Sequence, residues 1–160
     1  MKEQKTNVMR VLEQKKIRYT AHEYPHRGGP VDGVIVAALT GRDPAQVFKT
    51  LVTVGASKQH YVFDIPVAKE LDLKKAARAV GEKSIAMIHV SEITPLTGYV
   101  RGGCSPIGMK KQFFTVFDES VNALETVLVS GGKIGTQVEL APADLLGLIR
   151  AETADITVEE

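Results

Sequence analysis

Residues 98–111 read Gly-Tyr-Val-Arg-Gly-Gly-Cys-Ser-Pro-Ile-Gly-Met-Lys-Lys, with four glycines, a proline and three cations inside fourteen positions. Glycine lets a backbone turn through positive φ and lets a ligand approach it closely. Successive exposed amides in such a turn make an anion-binding concavity, and Arg101, Lys110 and Lys111 add full charges to it. The chemistry on offer is recognition of an anion or of a reacting carbonyl. A second turn, Gly131-Gly132-Lys133-Ile134-Gly135, has the same character with one cation at its centre. On its own it reads as a plain hairpin loop.

Lys49 is the third candidate. It stands in Val47-Phe48-Lys49-Thr50-Leu51-Val52, where period-2 alternation puts Val47, Lys49 and Leu51 on one face and Phe48, Thr50 and Val52 on the other. Both faces are otherwise apolar, and a buried ammonium is costly unless it is paired or functional. The competing reading is a lysine snorkelling from a sheet edge. Cys104 lies inside the first loop, but a catalytic thiol needs a base and a lowered pKa, and no Cys/His pairing is visible. His22 and His26 are four apart with Pro25 between them, so they share no helical face, and no zinc pattern is present. His60 and His89 read as strand-end residues. Walker, dinucleotide and Gly-x-Ser-x-Gly signatures are absent.

These residues need a scaffold. Residues 6–16 carry Val8, Val11 and Leu12 at helical spacing. Residues 17–24 alternate as a strand, ended by Pro25 and Gly28-Gly29-Pro30. Residues 32–39 read as a buried helix closed by Gly41, and Asp43-Pro44 starts a single turn. Residues 47–54 and 60–65 form a hairpin closed by Pro66; Asp72 caps a helix over 73–80 that stops at Gly81. A strand over 84–89, a helical turn over 91–96, a strand over 112–117, a hairpin of 126–130 with 136–140 and a helix over 142–150 complete the chain. The acidic tail reads as frayed, and Lys74, Lys75 and Arg78 as a solvated face. Strands outnumber helices and the connections are short. The class is α+β: a mixed, mostly antiparallel, barrel-like sheet flanked by helices, with its closure left open.

The 160 residues fit one domain, 1–160, able to bury a core. Hydrophobic residues at 44% and charged residues at 24% are ordinary for a globular protein. The single cysteine excludes an intrachain disulfide and fits a reducing cytoplasm. The charged start Met1-Lys2-Glu3-Gln4 shows no secretory signal, and no apolar run spans a bilayer. A net charge of +1 excludes strong non-specific nucleic-acid binding by the whole-molecule field.

Taken together, Tyr24 after a strand, Phe48-Lys49-Thr50-Leu51, Leu71-Asp72-Leu73-Lys74-Lys75, Gly98-Tyr99 with Gly102-Gly103-Cys104-Ser105-Pro106-Ile107-Gly108, Val129-Ser130-Gly131-Gly132-Lys133 and Glu139-Leu140 resemble the YbaK/EbsC family over nearly the whole chain. The resemblance implies the fold of the editing insertion of bacterial prolyl-tRNA synthetase, and a free-standing deacylase that removes cysteine from Cys-tRNA(Pro) or Cys-tRNA(Cys). It implies that the substrate thiol attacks the ester, so the step is a hydrolysis, or a lyase reaction if it cyclises. It implies that Lys49 holds the terminal adenosine with its phosphate or the aminoacyl end, and that Gly102, Gly103, Ser105 and Gly108 wall the pocket near the ester carbonyl. Tyr24, Ser130, Gly131 and Lys133 would surround the same pocket. Gln137 stands where the family often carries an acid, so it offers the substrate ammonium a hydrogen bond but no charge. The implied partners are aminoacyl-tRNA and prolyl-tRNA synthetase, with no membrane, cofactor or metal; oligomeric state is left open. Alternatives are a deacylase for another small amino acid such as alanine, and a non-catalytic tRNA- or nucleotide-binding module.

Overall fold

A computed structural model describes residues 5–159. Residues 1–4, on which the reading of the charged start rests, lie outside that span.

Helix α1, Asn7–Gln14, is capped by Thr6, whose hydroxyl accepts from Met9 N, and it buries Val8, Met9 and Leu12. Strand β1, Thr20–Glu23, is shorter than the alternation implied. Helix α2, Gly33–Thr40, is capped by Asp32, whose carboxylate accepts from Val34 N, and ends at Gly41 in the left-handed conformation, as that glycine predicts. It is not a buried helix: Val34, Ile35 and Leu39 are exposed while Val36 and Ala37 are buried. Apolar residues all around a helix cannot reveal which face is covered.

After a 3₁₀ turn, Pro44–Gln46, the hairpin of β2, Phe48–Gly55, and β3, His60–Pro66, forms in the expected place. Helix α3, Leu73–Val80, has the predicted Asp72 and Gly81 caps. Strand β4, Ile85–Met87, is followed by α4, Val90–Thr97, a full helix despite Pro95 and not a brief turn. His89 is its N-cap residue and not part of a strand. Strand β5 is Phe114–Asp118; β6, Val127–Ser130, and β7, Thr136–Leu140, make the second hairpin. Helix α5, Pro142–Ile149, leads into β8, Glu152–Ala154.

The tail is therefore not frayed. β8 pairs parallel with β5, and Ile156 is fully buried, a burial that contributes ~2 kcal/mol. Lys75 belongs to the same anchor and not to a solvated face: its ammonium binds the Asp155 carboxylate at 3.0 Å and the Thr157 carbonyl at 2.9 Å.

The strands divide into two sheets, β1-β7-β6 and β4-β2-β3-β5-β8. Pairing is antiparallel except for β3–β5 and β5–β8, so the mixed, mostly antiparallel sheet with flanking helices is present but no closed barrel forms. The main core lies between the sheets, under α1 and α5, and includes Phe48, Val62, Phe117, Val129 and Val138. Phe63, Ile65 and Val116 pack under α3 on the other face. No helix among the described residues is long and apolar enough to cross a membrane.

Candidate active site

The cavity opens where the two sheets fail to join. Val67 N donates to Val47 O and Gly55 N to Gln59 O, so odd-numbered residues of β2 turn their peptide groups toward β3. The even-numbered ones face the other edge. There β4 covers only Thr53, Val54 and Gly55, and β6 meets the chain at the isolated bridge Val47–Leu128. Between them the edge is open at Lys49, Thr50 and Leu51. A cavity of about 490 Å³ occupies the gap, within the range of small-molecule sites.

One wall is Phe48, Lys49 and Thr50 of β2; facing it are Ser130 of β6 and Gln137 of β7, with Tyr24 beside them. Ser130 and Gln137 are directly paired across their hairpin. The glycine-rich loop supplies Arg101, Gly102 and Cys104, and the start of α2 supplies Asp32 and Gly33. Five sequence-predicted residues thus meet around one cavity: Tyr24, Lys49, Gly102, Ser130 and Gln137.

Gly103, Ser105, Gly108, Gly131 and Lys133 stand off its lining and build the loops behind it. A Cβ at Gly103 would lie 2.9 Å from Lys133 Cα and 3.0 Å from Ile134 N, so this is where the two glycine-rich turns pack backbone on backbone. Its amide donates to Val100 O at 2.9 Å. Ser105 is fully buried, and its hydroxyl accepts from Ile107 N. Tyr99 ties the loop together by donating from its hydroxyl to Ile107 O at 2.6 Å. Gly108 sits against Asn7 and the Tyr99 hydroxyl, and Gly131 against Thr136. Lys133 is exposed. A Cβ added at Gly102 would lie 2.9 Å from Pro30 Cα; at φ +85° a side chain there would also be strained.

The electrostatics are uneven. Lys49 is half-buried, and none of the described residues pairs with its ammonium. Gln137 is buried, and its Oε1 has no hydrogen-bond partner. A cation and an acceptor without protein partners thus share one cavity. Burial pushes the Cys104 thiol up to about 12, with the nearby Asp64 carboxyl adding to the shift and a Thr97 hydrogen bond opposing it. Such a thiol is neutral and a poor nucleophile.

A carboxylate outside the cavity holds the adjoining elements in place. Glu139 on β7 accepts from Arg42 Nη2 at 2.9 Å and Thr126 Oγ1 at 2.6 Å, and contacts His22 Nε2 at 2.7 Å. Burial alone would raise its pKa, but hydrogen bonds from Arg42, Thr126 and His22 together bring it down to about 2. Arg42, just past the Gly41 cap of α2, is thereby tied to the smaller sheet, which fixes the helix that forms one lip of the cavity.

Asp64 is a further buried acid that the motifs do not mark. It is fully buried on β3, opposite Thr50, and burial pushes its carboxyl up to about 8 against a hydrogen bond from Thr50. The signal was available, since Asp64 interrupts Tyr61-Val62-Phe63 and Ile65 as Lys49 interrupts its own strand.

Residues 34–148 match the model of the aminoacyl-tRNA editing domain. EbsC of Enterococcus faecalis, named as a candidate Cys-tRNA(Pro)/Cys-tRNA(Cys) deacylase, is 45% identical over 158 residues, 99% of this chain and 96% of its own. The structure of a candidate trans-editing enzyme for prolyl-tRNA synthetase is similar at a TM-score of 0.81 and 27% identity, covering 96% of this chain and 99% of that one. The hypothetical protein APE2540 shares the fold at a TM-score of 0.85 and 22% identity, over 96% of this chain and 100% of its own. Matched over most of its length by the domain model and nearly end to end by a close relative, this chain belongs to the aminoacyl-tRNA editing domain family.

Proposed function

We propose that this protein is a deacylase that removes cysteine from misacylated Cys-tRNA(Pro), and from Cys-tRNA(Cys), acting in the cytoplasm as a single editing domain, 1–160. The observation that carries this reading is the pairing, in one cavity, of the partnerless Lys49 ammonium with the partnerless Gln137 Oε1. An aminoacylated ribose offers the complementary groups: an α-ammonium for Gln137 Oε1, and an ester or phosphate oxygen for Lys49. Ser130, paired with Gln137, and Tyr24 hold the sides of the amino acid. Gly102 brings backbone close to the ester carbonyl. The buried Gly103, Ser105 and Gly131 and the half-buried Gly108 keep that wall in shape from behind, and the exposed cations Arg101, Lys110, Lys111 and Lys133 are left for the tRNA backbone.

An aminoacyl ester is already activated, so placing the nucleophile and stabilising the oxyanion are the main demands. The cavity's own thiol, Cys104, is held neutral and is a poor nucleophile; on this reading the substrate's thiol attacks the carbonyl carbon. The S–C bond forms as the C–O bond to ribose breaks, and the freed tRNA takes a proton on its ribose oxygen. Prolyl-tRNA synthetase is the proposed partner; a net charge of +1 suits an enzyme to which the tRNA is delivered.

Incubation with Cys-tRNA(Pro) and Ala-tRNA(Pro) tests the reading. Release of cysteine supports it, release of alanine alone moves the specificity, and release of neither makes the protein a binding module. S-methylated Cys-tRNA(Pro) must resist cleavage if the substrate thiol attacks. Faster turnover on adding prolyl-tRNA synthetase supports the partnership.

A further inference from the structure

Thr50 and Asp64 face each other across β2 and β3 in a pair whose peptide groups point away from one another. That is the arrangement in which opposed side chains come closest. Thr50 Oγ1 donates to Asp64 Oδ1 at 2.5 Å. Thr50 lines the cavity, whereas Asp64 lies behind it with no exposure and with Oδ2 partnerless. An apolar residue would suit this position better, because a buried carboxyl with one satisfied oxygen is a cost. When the carboxyl is neutral, a proton on Oδ2 would be a buried donor with no acceptor. Placed on Oδ1 it enters the contact with Thr50 and frees Thr50's own proton for the cavity.

We propose that Asp64 is a positioning residue that acts through Thr50, storing the proton that the departing ribose oxygen takes when the ester breaks. The inference rests on the deacylase reading above. As the substrate sulfur bonds to the carbonyl carbon, its proton leaves to water. As the C–O bond breaks, its electron pair stays on the ribose oxygen. Thr50 gives that oxygen its hydroxyl proton, Asp64 Oδ1 gives its proton to Thr50 Oγ1, and the Asp64 carboxylate regains one from water. Protons and charge balance with water as the only further reactant.

The groups around Asp64 leave it free for this task. Val62 and Pro66 flank it on its own strand, Phe48 and Val52 flank Thr50 on β2, and Phe117 is in register on β5. Cys104 of the glycine-rich loop is close enough to interact with it electrostatically, and burial keeps that thiol neutral. Tyr99 lies behind Cys104, and burial pushes its hydroxyl up to about 12. Lys49 is on the opposite face of β2 by alternation.

Single-turnover deacylation of Cys-tRNA(Pro) across pH about 6 to 9.5 tests this with Asp64→Asn, Thr50→Val, Thr50→Ser and the Asn/Val double variant. Asp64→Asn keeps shape and a hydrogen-bonding group but has no proton to pass. It should lose about 100-fold in rate at neutral pH with substrate affinity nearly unchanged, as should Thr50→Val, while Thr50→Ser keeps the rate. The double variant should be no slower than Thr50→Val. The ratio of wild-type to Asp64→Asn rates should fall toward one above about 8, where Asp64 ionises. A ratio near one at neutral pH, a ratio constant across the range, or multiplying losses in the double variant would overturn the relay. So would a carbon-13 titration showing the Asp64 carboxyl in the ordinary carboxylate range, whatever the kinetics. A wild type that cleaves no aminoacyl-tRNA overturns the deacylase reading itself; an active wild type matched by Asp64→Asn overturns the relay alone.

Discussion

Thr50 and Asp64 occupy directly opposed positions of one hairpin, joined by a 2.5 Å hydrogen bond, with only Thr50 reaching the cavity. This pair links a buried ionisable group to the open sheet edge where the site forms. It also has consequences for stability, because the carboxyl is fully covered.

Asp64→Asn should stabilise the protein at neutral pH and flatten its stability–pH curve. The folded-state carboxyl titrates near 8 in place of an ordinary 3.8, so between those values the folded state holds a proton that the unfolded chain gives up. Wild-type stability therefore falls as pH rises from about 4 to 8, by up to about 1.4 kcal/mol per unit for one proton. Urea midpoints at pH about 4.5 and 7.5 measure it. Equal pH slopes in the two proteins would show that Asp64 ionises normally.

Lys49→Ala should leave the fold intact and remove most of the deacylation. No described residue pairs with its ammonium, so folding loses no ion pair, whereas the substrate loses its cation. A fall of about 100-fold in kcat/KM with an unchanged melting temperature is expected. A variant that simply unfolds would return Lys49 to a structural role.

Gly103→Ala should destabilise the protein by about 1–3 kcal/mol. The added Cβ meets main-chain atoms of Lys133 and Ile134 at 2.9 and 3.0 Å, and backbone cannot swing aside as a side-chain tip can. Thermal denaturation checks the stability. Deacylation should fall as well, because the two turns that shape the cavity are pushed apart.

Glu139→Gln should lower stability at neutral pH by about 1–3 kcal/mol, and the difference from wild type should vanish in acid. The Glu139 pKa lies near 2 in the folded state against an ordinary 4.5. Its contribution is thus present above about 4.5 and lost as pH falls toward 2. Parallel acid-denaturation curves for the two proteins would contradict the Arg42–Glu139–His22 arrangement.

Much of this protein was legible before folding was considered. Caps, glycines and prolines are local devices, so Gly41, Asp72 with Gly81, and the two hairpins stand where residue types alone place them. Lys49 stood out for a similarly local reason, as a charge inside an apolar strand. The family motifs run along nearly the whole chain, and the domain match agrees with them.

Tertiary structure decided what depends on distant partners. The exposed side of α2 and the buried end of the tail follow from which surfaces the sheets leave uncovered, and no residue of those segments encodes that by itself. The sheets stay unjoined between β2 and β6, and that gap makes the cavity, so lining it depends on position along one open edge. Gly102 therefore reaches the cavity while Gly103, its neighbour in the same motif, packs the other way against Lys133. Asp64 differs again: its residue type was visible in the strand, but its meaning awaited the register that set it opposite Thr50.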